Sequence, residues 1–127
     1  MSILIVDDSP VIQELLKKIL QFAGYKDLLV ASSTQEGFEI LGIEDSSKRN
    51  TDIDLILMDI MLAGMDGRTI CKAIKSVEKV STIPIILISA TENGASCLNK
   101  EGSPNDFVPK PFDLSFLIEK IEHQLAA

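Results

Sequence analysis

The stretch "LILMDIMLAG", residues 55–64, decides how the chain is read. Leu55 to Met58 are apolar without interruption, the pattern of a strand crossing a protein interior. Asp59 follows at once, and Ile60, Met61 and Leu62 come after it. A buried carboxylate is costly unless it is paired or bound to a metal. Asp59 therefore either sits at an exposed strand end or faces a cation.

Working outward, "ILIV" (3–6), "LLVA" (28–31) and "IPIILI" (83–88) repeat the apolar pattern, and "DFVP" (106–109) is a weaker fifth case. Continuous apolar runs suit parallel strands covered on both faces. Helical spacing fills the intervals. Ser9 and Pro10 suit a helix start, and Val11, Leu15, Ile19 and Phe22, with Ile12, Leu16 and Ala23, form its expected apolar face up to Gly24. Further helices are expected over 33–42 (Phe38 and Leu41 inward), over 66–78 (Asp66 as cap; Ile70, Ala73, Ile74 and Val77 inward) and over 113–125 (Leu114, Leu117, Ile118, Ile121 and Leu125 inward). A fourth in chain order, near 92–100, has poor helix formers around Gly94. Residues 44–52 read as a polar loop of unusual length. The β-α alternation, five times over, predicts a three-layer α/β/α sandwich on a parallel sheet, with 1–127 as a single domain.

Composition narrows the function. A net charge of -7 disfavours nucleic-acid binding through this chain and suits a cation or a basic partner. No apolar run is long enough for a bilayer, and "ILIV" meets Asp7 and Asp8 too soon to be a signal peptide. Cys71 and Cys97 form neither a metal spacing nor a disulfide framework and read as reduced packing residues of a cytoplasmic protein.

The chemistry lies just past the strands. The first is followed by Asp7 and Asp8, the third ends in Asp59, the fourth in Ser89, and Lys110 follows the fifth. In a parallel sheet these ends share one edge, beyond which ligands bind. Three carboxylates there repel one another, by about 4 kcal/mol per pair at about 4 Å and an intermediate dielectric. A retained proton or a bound cation relieves this. With only oxygen ligands on offer, a hard ion such as Mg²⁺ is favoured. Carboxylates, Mg²⁺, a lysine and a hydroxyl also match the needs of phosphoryl transfer. Asp59, central in the sheet, is the best-placed nucleophile for an acyl phosphate.

"ILIVDDSP", "LILMDIMLAGMDG", "ISA" and "FVPKPF" resemble, in order and spacing, the response-regulator receiver domain of two-component signalling. The resemblance implies a flavodoxin-like (βα)5 fold with strand order 2-1-3-4-5. It implies that Asp59 accepts a phosphoryl group from a histidine kinase, a phosphotransfer protein or a small donor. Asp8, Asp59 and the Met61 carbonyl would ligate Mg²⁺ directly, and Asp7 through water. Ser89 and Lys110 would bind the phosphoryl oxygens, Phe107 would rotate inward as Ser89 moves, and the Lys110–Pro111 bond would be cis. Phosphorylation would switch the surface of the fourth helix, fifth strand and last helix, toward a downstream effector or a phosphorylation-dependent homodimer. Such a domain catalyses only its own phosphorylation and dephosphorylation and is otherwise no enzyme.

Several residues depart from the family pattern: Leu62-Ala63 replaces Met-Pro, Ser89 the commoner Thr, and Phe107 the commoner Tyr, which removes a hydroxyl. A pseudo-receiver that binds proteins without being phosphorylated is the alternative, and the intact Asp7, Asp8, Asp59, Ser89 and Lys110 argue against it. A flavin carrier would want a Ser/Thr/Gly phosphate loop where "DDSP" stands, and an Asp-nucleophile phosphatase would carry its nucleophile on the first strand. Singly, each residue has an ordinary reading: helix entry for Asp7-Asp8, a constrained turn for Lys110-Pro111, an exposed helix face for His123.

Overall fold

Both faces of the main sheet are apolar because helices cover both. In the computed structural model, which describes residues 2–42, 53–59, 61–62, 65–77, 80–89, 106–109 and 113–126, the chain runs β1 (Ser2–Val6), α1 (Pro10–Phe22), β2 (Asp27–Ala31), α2 (Thr34–Leu41) and β3 (Leu55–Asp59). Then come β4 (Met61–Leu62), β5 (Met65–Asp66), α3 (Gly67–Lys75), β6 (Ile85–Ser89), β7 (Asp106–Pro109) and α4 (Leu114–Ala126). Five strands form one sheet in the order β2-β1-β3-β6-β7, all neighbours parallel. Numbered within that sheet, the order is the expected 2-1-3-4-5. The short antiparallel pair β4-β5, with Met61 opposite Asp66, lies where a plain loop and a helix start were expected.

Side chains alternate along each strand into two cores. Ile3, Ile5, Leu55, Leu57, Ile86, Ile88 and Val108 pack against Leu16, Ile19 and Leu20 of α1 and Leu117 and Ile121 of α4. Leu4, Val6, Ile56, Met58, Ile85 and Leu87 pack on the other face against Leu41 of α2 and Ile70, Cys71 and Ile74 of α3. Each fully buried aliphatic side chain contributes roughly 1.5–3 kcal/mol. At the amino edge of the sheet, the Ser2 N–H donates to Asp54 Oδ2 at 2.8 Å and the Asp54 N–H donates to the Ser2 carbonyl at 2.8 Å.

Helix ends follow from local chemistry. Ser9, Ser33 and Asp113 each accept the backbone N–H three residues on, at 3.4, 3.1 and 3.1 Å. Gly42 closes α2 at φ 70°, a conformation that favours glycine. Lys75, at the end of α3, donates Nζ to the Ile83 carbonyl at 2.9 Å, and burial holds its pKa below the usual lysine value.

Two inward faces differ from expectation. In α1 the buried residues are Leu16, Ile19 and Leu20, while Val11 is 75%, Leu15 43% and Phe22 96% exposed. Ala23 is exposed as well. Apolar residues occupy more of this helix than the sheet can cover, so periodicity alone did not single out the covered arc. In α3 the small Ala73 is exposed and Cys71 takes the inward position, fully buried. His123 is exposed, as expected. The 44–52 loop, the 92–100 helix and Cys97 lie outside the described residues.

Candidate functional site

β1 and β3 are neighbours, with Val6 opposite Met58. Their carboxyl ends therefore deliver Asp7, Asp8 and Asp59 to one spot although about two fifths of the chain separates Asp59 from the other two. One carboxylate oxygen from each of the three lies within 4.8 Å of the others. Asp7 is buried, Asp8 exposed and Asp59 in between. The group is thus an acidic pocket with a buried floor and an open mouth.

The floor is held by short-range hydrogen bonds. The Asp7 N–H donates to the Ala31 carbonyl at 3.0 Å, and Asp7 Oδ1 accepts from the Ser9 N–H at 2.8 Å. One turn into α1, Gln13 Nε2 donates to the Asp7 carbonyl and, at 3.0 Å, to Ser32 Oγ. Both protons of that amide are used, so it ties the loop after β1 to the loop after β2. Gln13 and Ser32 were missed in the sequence. The signal was present: Ser32 directly follows the second apolar run, at the edge where the other polar residues were found.

An all-oxygen, triply acidic cluster with one exposed member fits a hard divalent cation that keeps several waters. The backbone of Met61 stands two residues beyond Asp59, paired with Asp66. Asp59 pairs with Ile88, so Ser89 ends β6 one step past the Asp59 level, beside Pro109. Phe107 pairs with Leu87 inside the sheet. The side chains of Met61, Ser89 and Phe107 lie outside the described positions. Lys110, next after Pro109 at the end of β7, and the Lys110–Pro111 bond lie outside them too.

A family-wide sequence profile described as "Response regulator receiver domain" matches residues 3–122. The chain belongs to the receiver-domain family. Among curated receiver relatives, the nisin biosynthesis regulatory protein NisR of Lactococcus lactis is 36% identical over 95% of this chain and 48% of its own length. The chemotaxis protein CheY1 of Helicobacter pylori is 30% identical over 96% of this chain and 94% of its own. The solved structure of a putative response regulator from Chloroflexus aurantiacus superposes with a TM-score of 0.83 at 29% identity, covering 99% of this chain and 98% of that one. The receiver sequence thus spans about half the length of regulators such as NisR and nearly all of CheY1. Receiver domains are signalling modules rather than conventional enzymes, and this one has the family's flavodoxin-like fold and acidic pocket. Among the described residues, no helix is long and apolar enough to cross a membrane.

Proposed function

We propose that this domain is the phosphoacceptor of a two-component relay, with Asp59 as the residue phosphorylated in a Mg²⁺-dependent reaction. The observation that carries the reading is the convergence of Asp7, Asp8 and Asp59 within 4.8 Å. A binding module has no need to gather three mutually repelling carboxylates. Asp8, Asp59 and the Met61 carbonyl would hold Mg²⁺, with Asp7 reaching it through water. When bound, the ion supplies charge neutralisation at the phosphoryl oxygens.

An Asp59 carboxylate oxygen attacks the donor phosphorus, an O–P bond forms, and the donor's P–N or P–O bond breaks with its electron pair leaving on the donor. The hydrogen bonds to Asp7 keep the neighbouring carboxylate fixed while this happens. Ser89 and Lys110 bind the phosphoryl oxygens, with Lys110 preceding a cis Pro111. Water attack on phosphorus later returns Asp59 to its free form, so the domain catalyses only its own phosphorylation and dephosphorylation. Exposed Val11 and Leu15, on the part of α1 that begins beside Asp8, offer an apolar footing for a histidine kinase or phosphotransfer protein. Phosphorylation then draws Ser89 and Phe107 inward and switches the face that includes β7 and α4. The output passes to an effector domain or protein, or to a phosphorylation-dependent homodimer. The domain acts as one unit in the cytoplasm, without nucleic-acid or membrane contacts of its own.

Acetyl phosphate with Mg²⁺ should give one phosphoryl adduct by intact-protein mass spectrometry, lost in Asp59→Asn and lost when Mg²⁺ is chelated. An adduct that persists in Asp59→Asn would put the nucleophile elsewhere.

A further inference from the structure

Asp8 is the exposed member of the acidic pocket, so packing does little to aim its carboxylate. Its backbone does more. The peptide unit before Asp8 carries the Asp7 carbonyl, which accepts from Gln13 Nε2. The unit after Asp8 carries the Ser9 N–H, which donates to Asp7 Oδ1 at 2.8 Å. A peptide unit is planar, so one hydrogen bond at its edge restrains the tilt of the whole unit. Asp8 therefore sits between two clamped planes, and these set the direction in which its side chain leaves the chain.

The Gln13 clamp has an anchor of its own. The second proton of the amide goes to Ser32 Oγ at 3.0 Å. Ser32 follows Ala31, which pairs with Val6, so it stands level with Asp7 one strand away. Ser32 is exposed, but the turn that carries it is fastened to α2. Its N–H donates to Glu36 Oε2 at 3.5 Å, and the Glu36 N–H donates to Ser33 Oγ at 3.1 Å. Reciprocal bonds of this kind fix how a chain enters a helix. A chain of hydrogen bonds thus runs from the start of α2 through Ser32 and Gln13 to the Asp7–Asp8 peptide.

We propose that Gln13 and Ser32 are positioning residues for the cation: the Ser32 hydroxyl orients the Gln13 amide, and the amide aims Asp8 through the Asp7 carbonyl. This rests on reading the acidic pocket as a Mg²⁺ site. Both residues act through Asp8 rather than as ligands. They raise the share of folded molecules that present Asp8 in a binding geometry, and a site competent only part of the time binds more weakly by that fraction. With the cation bound, Asp8 is held by coordination as well, so the chemical step is unaltered. The task suits a primary amide, whose one nitrogen carries two protons for acceptors on two different loops. A glutamate of the same shape would set an oxygen against the Asp7 carbonyl and add a fourth negative charge.

Substitutions at Ser32 separate the hydroxyl from the shape that carries it. Ser32→Thr keeps the hydroxyl, and Ser32→Val has nearly the outline of threonine without it. In calorimetric Mg²⁺ titration of the unphosphorylated chain, Ser32→Thr should bind like the parent. Ser32→Val should bind about threefold or more weakly, the scale of one hydrogen bond. Gln13→Leu should bind about tenfold or more weakly, the scale on which outer partners of metal ligands act. Acetyl phosphate labelling across a Mg²⁺ series should give the same order in half-saturating Mg²⁺, with the parent's plateau rate throughout. In the metal-free protein, the Ser9 N–H should exchange faster in Ser32→Val and Gln13→Leu than in the parent or Ser32→Thr. Parental Mg²⁺ affinity in Gln13→Leu overturns the proposal even if that variant melts earlier, since a merely structural fork lowers stability alone. So does a plateau rate that falls at unchanged half-saturation, or a Ser32→Thr variant that binds as weakly as Ser32→Val. A parent chain that binds no Mg²⁺ is a separate failure, which removes the Mg²⁺ reading of the pocket and this proposal with it.

Discussion

Replacing Asp59 by Asn should stabilise the metal-free domain while removing its response to Mg²⁺. The magnitude follows from the cluster's geometry. Two unit charges at 4.8 Å, the outer limit of the separation found here, repel by about 3.5 kcal/mol at an effective dielectric of about 20. Asp59 faces the buried Asp7 and the exposed Asp8, and it is itself partly open to solvent. Screening at that exposure, and the polar partners the cluster already has, reduce the net relief to about 1–2 kcal/mol. Urea unfolding in the presence of a chelator should show this gain as a higher midpoint at an unchanged slope. In the parent chain, Mg²⁺ at about 100 times its Kd should add about 2.7 kcal/mol, since only the folded state assembles the three carboxylates. In Asp59→Asn the midpoint should barely move with Mg²⁺. If the variant is no more stable than the parent without metal, and gains as much from Mg²⁺, then the three carboxylates neither repel nor share a cation.

Other expectations follow from single contacts. Gln13→Ala removes both hydrogen bonds of the amide fork and should cost about 1–3 kcal/mol in thermal or urea unfolding, with weaker Mg²⁺ binding by titration calorimetry; unchanged Mg²⁺ affinity would make the fork purely structural. Leu57→Ala, at the fully buried centre of β3, should cost about 2–5 kcal/mol in urea unfolding, and a loss below about 1 kcal/mol would contradict the packing. Tyr25 is the one tyrosine, and its pKa is raised by burial and then by Glu122. The folded state thus keeps the phenol proton where the unfolded chain loses it, so stability contributed by Tyr25 falls as pH rises past 10. Phenolate absorbance should titrate above pH 10 and move down toward that value in Glu122→Gln.

Strand positions were legible in the sequence because burial on both faces leaves a continuous apolar run, a pattern that "LILM" and "ILIV" show without ambiguity. The acidic site was legible for a related reason: each run stops at a polar residue, and parallel topology sends all the stops to one edge. What escaped notice depended on tertiary context. Val11, Leu15 and Phe22 are as apolar as Leu16 and Leu20, and only the limited width of sheet beneath α1 decides which set is covered. Ala73 lost its inward place to Cys71 because either fits an apolar contact. The β4-β5 pairing is too short for any propensity to announce it. Gln13 acts through its amide on a neighbouring carbonyl, a role that no spacing encodes.

The Ser2–Asp54 contact has a consequence for the chemistry at the other end of the sheet. Where one face of a strand is wet, polarity fixes how it aligns with its neighbour, because a slip of one position would expose the core side. β1 and β3 are apolar on both faces, so that safeguard is missing between them. The paired hydrogen bonds at Ser2 and Asp54 supply the alignment mark instead. From Asp54 to Asp59 the strand extends about 16 Å, at about 3.3 Å per residue. The Asp59 carboxylate is therefore indexed from afar, as the far end of a ruler is placed by its zero.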